Sequence, residues 1–104
     1  MMEHYSQLLD ISAERKRQVA EEGFTADHDD QNNSDGELAL AAVAYTLEAA
    51  PISPANIGKL VWPWPDDWWK PGEPREMLVK AGALILAEIE RLDREQAKKQ
   101  VPHG

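Results

Sequence analysis

The strongest constraint on the fold is one eight-residue segment that contains all four tryptophans of the chain. It reads Trp62-Pro63-Trp64-Pro65-Asp66-Asp67-Trp68-Trp69. Proline fixes φ and removes a backbone N–H donor, so this tryptophan segment is expected to be a stiff, irregular loop. Each indole ring offers a flat apolar face and one N–H donor, which suits burial in a core, a planar ligand or a partner surface.

The neighbours of each tryptophan favour different roles. Trp64 lies between two prolines and Trp69 precedes Lys70, so we expect these two rings to stack on a ligand whose phosphate meets the lysine. The apolar residues before Trp62 indicate that its ring points inward. We therefore expect Trp62, together with Trp68, to anchor the core.

Length and composition indicate one small domain spanning residues 1–104, with 42% apolar residues available for a core. No run approaches the roughly 20 apolar residues that a membrane-spanning helix needs. The chain has no cysteine, which excludes disulfides and thiolate metal sites. Residues 1–6 lack the basic and apolar regions of a signal peptide. We expect a cytoplasmic protein without membrane association.

The negative charge is concentrated in one part of the sequence. Residues 18–58 contain no lysine or arginine but eight acidic residues, which match the formal net charge of −8. This region would repel a polyanion, so binding of duplex nucleic acid is not expected. It would attract a metal ion, although a solvated acidic surface is the default interpretation of the pattern.

Apolar periodicity and capping residues predict an all-α fold of three main helices. The predicted elements are a helix over 2–22, a loop over 24–34, a helix capped by Ser34 or Asp35 that ends before Pro51, a long loop over 51–73, and a helix from Pro74 to about Lys98 with a frayed end over 95–104. The packing residues expected on the first two helices are Tyr5, Leu8, Leu9 and Val19, and then Leu38, Ala41, Ala42 and Tyr45.

The last helix is apolar on nearly every face between Leu78 and Ile89. Such a helix must be covered on every face, and two other helices in so small a chain cannot easily do that. The sequence therefore predicts a homo-oligomer built on this helix.

Several polar residues are candidates for a site. Glu14, Asp30 and Glu37 could provide oxygen ligands to Mg²⁺, with His28 orienting a water or contacting a phosphate. Asp29, Asp30 and Asp35 could equally be turn and capping residues. On the first helix, Glu14, Gln18 and Glu21 recur at helical spacing with Arg17 beside them. This face is either solvated or the polar wall of a cleft.

Three sequence stretches carry a resemblance to known proteins. They are Glu14-Arg15-Lys16-Arg17-Gln18 with the following Glu22-Gly23, His28-Asp29-Asp30 and Gly36-Glu37-Leu38-Ala39; Trp62-Pro63-Trp64 with Trp68-Trp69-Lys70-Pro71; and residues 80–92. From Glu14 to Arg94 the chain resembles a group of small phage and prophage proteins. More distantly, in helix order and the Gly-Glu-Leu-Ala start, it is similar to the MazG-type all-α NTP pyrophosphohydrolases.

The enzyme resemblance implies two motifs that hold Mg²⁺, Glu-Glu-x-x-Glu on one helix and Glu-x-x-Asp on a later one. Glu37 matches the last glutamate of the first motif, but Asn33 and Ser34 stand at the other two positions. In the second motif, Met77 and Lys80 replace the two acids. A lysine there would repel Mg²⁺ but could pair with a phosphate. These departures imply binding without hydrolysis.

Three functions therefore remain open. The leading one is a phage-type nucleotide-binding protein without cofactor that sequesters a nucleotide second messenger of host immunity, in the host cytoplasm if phage-encoded. The alternative is a divergent Mg²⁺-dependent pyrophosphohydrolase using Glu14, Asp30 and Glu37, with His28 or Asp29 as substitutes. The third is a protein-interaction module built on the tryptophan segment. The candidate ligand-binding residues are Arg17, His28, Glu37, Tyr45, Trp64, Trp69, Lys70 and Lys80.

Overall fold

A computed structural model of the chain describes the backbone of residues 3–100 and the side chains of residues 5–100. In this part of the chain the fold is all-helical and contains no strand. The four α-helices are α1 (Glu3–Glu21), α2 (Ala26–Asn32), α3 (Glu37–Ala49) and α4 (Pro74–Lys99), and two short 3₁₀ helices lie between α3 and α4 at Ile57–Val61 and Asp66–Trp68. The predicted helix start at Met2 and the predicted frayed residues 101–104 lie outside the described residues.

The prediction of an all-α fold is confirmed, but the predicted loop over 24–34 is wrong, because it contains α2. The helix is polar and has no apolar stripe that periodicity could detect. It is stabilised locally instead: the Thr25 hydroxyl accepts a hydrogen bond from the His28 N–H at 3.2 Å, and Asp27 and Asp29 lie in the first turn.

The start of α3 also differs from the prediction. Neither Ser34 nor Asp35 caps the helix; the residue before it is Gly36, which has φ 94° and no side chain to offer. The Glu37 carboxylate accepts the N–H of Asp35 at 2.8 Å, so the side chain of the first helical residue supports the turn in place of a cap.

The core lies between α3 and α4. Leu38, Ala41, Ala42 and Tyr45 of α3 are buried against Met77, Ala81, Leu84 and Ala87 of α4, as expected for α3. Alanine side chains let two helix axes approach closely. Phe24 belongs to the same buried cluster, and Trp62, Trp64 and Trp69 are partly buried and pack against it.

The expected packing role of the apolar residues on α1 is not found. Tyr5, Leu8 and Leu9 are each more than 60% exposed, and Val19 is exposed as well. α1 contacts α4 instead through Ile11, whose side chain lies on Gly82, and through the buried Gln18. An amphipathic stripe identifies a face, but not whether the same chain covers it.

Among the helices of the described part, none is long and apolar enough to cross a membrane.

Glu48 of α3 ties the long connection to the core. Its carboxylate accepts the N–H groups of Asn56 at 2.8 Å and Gly58 at 3.1 Å. Gly58 is buried so close to α3 that a Cβ there would collide with the carbonyl oxygen of Ala44 and crowd the Trp69 ring. Only glycine allows this contact between the loop and α3.

We therefore expect Gly58→Ala to destabilise the fold by about 1–3 kcal/mol, because backbone or ring must move to admit the methyl group. Thermal or urea unfolding measures this loss. Gly72→Ala is the matched control, since its Cβ would meet only the flexible carboxylate of Glu76. Equal stability of the two variants would contradict the close contact.

Candidate ligand cleft

A cleft runs along one side of the molecule and is lined from α1, α3, the tryptophan segment and α4. Its inner part, the recess, is a cavity of about 30 Å³. Its outer part, the groove, is an open depression of about 770 Å³. The two parts share Glu14, Arg17, Glu22, Lys70 and Lys80, so they form one continuous site.

Aromatic rings form one wall of the recess: Phe24, Tyr45, Trp62, Trp64 and Trp68. Each of these rings contacts the next one along the wall. Trp64 is tilted against Phe24 at 5.1 Å between centroids and meets Trp62 edge-on at 5.2 Å. Trp62 in turn meets Tyr45 edge-on at 5.3 Å. These geometries are the favourable ones for aromatic pairs, so the wall is self-supporting.

The tryptophans do not divide as expected. Trp68, expected in the core, is 43% exposed and touches only Trp64 among the rings, at 6.0 Å, so that expectation is wrong. Trp62 packs against the core, as expected, and its Nε1–H donates to the carbonyl of Pro65 at 3.1 Å. Trp64 lines the recess. Trp69 stacks on Tyr45 at 5.0 Å and is not among the lining residues.

Arg17 dominates the polar wall of the recess. Its guanidinium donates to both carboxylate oxygens of Glu14 at 2.8 Å, to Glu21 at 2.9 Å and to Glu22 at 3.3 Å. The hydrogen bonds that Arg17 donates to Glu14 hold the pKa of Arg17 above its ordinary value. Burial by itself would raise the pKa of Glu14, but hydrogen bonds from Arg17 and Gln18 outweigh burial, so this pKa is lowered.

Lys80, Lys70 and Tyr45 meet where the recess opens into the groove. The Lys80 ammonium donates to the Lys70 carbonyl at 3.0 Å, lies 3.7 Å from the Glu76 carboxylate and sits 5.5 Å from the centre of the Tyr45 ring. The Tyr45 hydroxyl accepts the Lys70 N–H at 3.4 Å, and burial raises the pKa of this tyrosine.

Five of the eight candidate ligand-binding residues are thus gathered in the cleft: Arg17, Tyr45, Trp64, Lys70 and Lys80. His28, Glu37 and Trp69 line neither part of it. His28 stacks on Phe24 at 5.8 Å, behind the aromatic wall, and Glu37 supports the start of α3.

The three carboxylates proposed for Mg²⁺ are not neighbours. Glu14 is paired with Arg17, Asp30 with Arg94 at 2.9 Å, and Glu37 with a backbone N–H. Within residues 5–100, no three acidic or histidine side chains are arranged to hold a metal ion.

A buried polar chain behind the wall was not foreseen from the sequence. The Trp64 Nε1–H donates to Asn33 Oδ1 at 3.2 Å, and Asn33 donates to Asp29 Oδ1 at 3.0 Å. Asp29 is fully buried, 3.7 Å from the Arg15 guanidinium, which also binds Glu90 at 2.8 Å. These hydrogen bonds and ion pairs connect the Trp64 ring to residues of α2, α1 and α4 and hold it in place. The i, i+4 spacing of Asp29 and Asn33 was the only available signal.

Gln18 and Glu22 were also outside the expected site, yet both line the recess. Gln18 is only 3% exposed. Gln18 lies four residues after Glu14 on α1, a spacing consistent with the wall of a cleft, and Gln18 and Glu14 both line the recess.

Comparison of the chain with protein-family models, with curated proteins and with solved structures found no significant match in any of the three.

The lowered pKa of Glu14 predicts a stability change with pH. A carboxyl with a lowered folded-state pKa stabilises the fold above its ordinary pKa of 4.5 and loses this contribution as the pH falls below that value. Between pH 5 and pH 3, Glu14→Gln should therefore lose less stability than the wild type in thermal unfolding. Asp67→Asn, which alters an exposed carboxyl, should follow the wild-type curve. Parallel curves for wild type and Glu14→Gln would contradict the assignment.

Proposed function

We propose that the protein binds a nucleotide without catalysis, with the base against the aromatic wall and the phosphates at the groove. The observation that carries the proposal is the cleft itself: an aromatic wall of five rings opens onto a groove lined by both cations and carboxylates. The cations are Arg17, Lys70, Arg75 and Lys80, and the carboxylates are Asp10, Glu14, Glu22, Glu73 and Glu76. Stacking of a base on an aromatic side chain contributes about 1–3 kcal/mol and tolerates different bases.

A base must enlarge the recess, because about 30 Å³ corresponds to roughly one water molecule. Trp68 is the ring best suited to move. It is the most exposed ring of the wall and lies at the end of a three-residue 3₁₀ helix. Displacement of its indole would enlarge the recess, and the groove beside it is large enough for the rest of a nucleotide.

The lysines are better phosphate ligands here than Arg17. Arg17 is already engaged by three carboxylates, so a phosphate would have to displace them. Lys70 is exposed and has no ion pair among the described residues, and the nearest carboxylate to Lys80 is an exposed one at 3.7 Å. The Lys70 ammonium can turn toward an anion at little cost, whereas the Lys80 ammonium would exchange its hydrogen bond to the Lys70 carbonyl for one to the anion.

Binding is favoured over hydrolysis because the three carboxylates needed for Mg²⁺ have separate partners. The resemblance to phage proteins supports the biological use: sequestering a nucleotide messenger of host immunity in the cytoplasm. The pyrophosphohydrolase alternative requires Mg²⁺-dependent release of pyrophosphate that is lost in Glu14→Gln or Glu37→Gln.

Trp64→Ala and Lys80→Met should each weaken nucleotide binding by about ten- to a hundredfold, by removing a stacking face or a phosphate contact. Isothermal titration of wild type and variants with nucleoside triphosphates and cyclic dinucleotides, with and without Mg²⁺, measures the change. Trp69→Ala is the control: it should lower the melting temperature, because its ring packs on Tyr45, while any folded fraction keeps wild-type affinity. Wild-type protein that binds no nucleotide overturns the proposal.

We also propose that a second copy completes the fold as a MazG-like helical bundle. Leu78, Ile85, Ile89 and Leu92 are exposed on α4 at the 7- and 4-residue spacing of a helix that packs on another helix. A separate apolar groove of about 360 Å³, outside the cleft, is lined by Ile85 and by α3 residues that include Val43 and Leu47. The same helix on a second copy offers the matching stripe, as a two-fold interface requires.

Light scattering at micromolar concentration should therefore give a mass at least twice the 11.7 kDa of the chain. The double variant Ile85→Lys/Ile89→Lys should return the monomer mass, because charged side chains at the centre of an apolar interface are not solvated. Ile52→Lys, at a fully solvated loop position, should remain oligomeric. A wild type of monomer mass would refute this interface.

A further inference from the structure

Gln18 is the one recess-lining residue that has a buried polar atom without a partner. It lies on α1, its side chain lines the recess, and the residue is 3% exposed. Its Oε1 atom is buried and accepts no hydrogen bond from the described residues. A buried acceptor without a donor is destabilising, so a donor that reaches this atom from the recess, on a water or on a ligand, forms a favourable hydrogen bond.

The surroundings of Gln18 fix which way its amide points. The Nε2 group donates to the Glu14 carboxylate at 3.1 Å and lies 3.5 Å from the Lys80 carbonyl oxygen. Both neighbours are acceptors only. Rotating the amide by half a turn would set its oxygen against a carboxylate, so Nε2 must face Glu14 and Oε1 must remain the free acceptor.

Glu14 is itself held in place, which makes this orientation rigid. Arg17 binds both of its carboxylate oxygens at 2.8 Å. The direction of the acceptor is therefore fixed before a donor arrives. The enlargement of the recess that a base requires must also uncover this buried atom. The aromatic wall of the same recess would hold a planar ring whose edge carries that donor.

We infer that Gln18 determines the specificity of the cleft by accepting a hydrogen bond from the exocyclic amino group of a nucleobase. This inference rests on the proposed nucleotide-binding function. Cytosine and adenine carry an amino group at the edge where uracil and hypoxanthine carry an oxygen. An oxygen facing Gln18 Oε1 would leave two buried acceptors opposed, so the cleft selects amino-bearing bases.

Two pairs of nucleotides matched in size test the inference. In isothermal titration, wild-type protein should bind CMP more tightly than UMP, and AMP more tightly than IMP. The expected preference is about tenfold or more, equivalent to about 1.4 kcal/mol. In Gln18→Met, which keeps the length of the side chain but removes the acceptor, each preference should fall to near one. Gln7→Met, at an exposed position of α1, should retain the wild-type preference.

The outcomes separate the two proposals. Wild-type protein that binds both members of each pair equally overturns the role of Gln18 and leaves nucleotide binding intact. A preference that persists in folded Gln18→Met overturns it as well, because a merely structural glutamine changes the melting temperature and not the ratio. If Gln18→Met does not fold, wild-type protein is titrated with N⁶,N⁶-dimethyl-AMP, whose amino group has no hydrogen to donate. Binding of this nucleotide as tight as that of AMP would refute the hydrogen bond to Gln18. If none of these nucleotides binds, and none of the nucleoside triphosphates and cyclic dinucleotides binds either, both proposals are overturned.

Discussion

The ring of Tyr45 joins three of the four parts of the chain that line the cleft, namely α3, the tryptophan segment and α4. It lies on α3, is buried in the core, stacks on Trp69 and meets Trp62 edge-on, while the Lys80 ammonium of α4 lies near its face. Its hydroxyl also accepts the backbone N–H of Lys70. A proline-rich segment has few backbone hydrogen bonds of its own, so side-chain contacts of this kind determine where it lies. Without Tyr45, Trp62, Trp69 and the Lys80 ammonium would each lose a contact that fixes their position.

The sequence was informative where the chain follows periodic rules and uninformative where contacts across the fold decide. α1, α3 and α4 could be predicted because helical spacing, Gly23 and Pro74 mark their extent, but the apolar residues of α1 did not identify its buried face. α2 could not, since its stability comes from a Thr25 cap and its residues are polar. Gly36 replaced the expected cap of α3 because the Glu37 side chain already supports that turn.

The tryptophans illustrate the same limit at the level of single side chains. Flanking prolines and apolar residues constrain the backbone, but the direction of each ring depends on a partner distant in sequence. Asn33, 31 residues away, holds the Trp64 N–H, whereas the absence of a Cβ at Gly58 admits Trp69 beside α3. Trp68 has no comparable partner in the described part of the chain and remains on the surface. The types of residue in the sequence indicated which part of the chain lines the candidate cleft. Tertiary contacts determine where each of its side chains lies.

α4 contributes to both proposed surfaces, so the proposed ligand binding and the proposed assembly would be coupled through this helix. Lys80 lies in the cleft and Leu78, two residues earlier, belongs to the exposed stripe; Leu84 lines the recess and Ile85 adjoins the apolar groove. A rigid helix cannot shift one face without shifting the other. If a ligand moves Lys80 or the recess wall, the stripe moves with it, and by linkage the affinity of one copy for another changes by the same factor as the affinity for ligand. Assembly would favour the ligand-bound position of α4 only if that position also improves the packing between the two stripes. The position of this one helix would then determine whether ligand binding strengthens or weakens assembly.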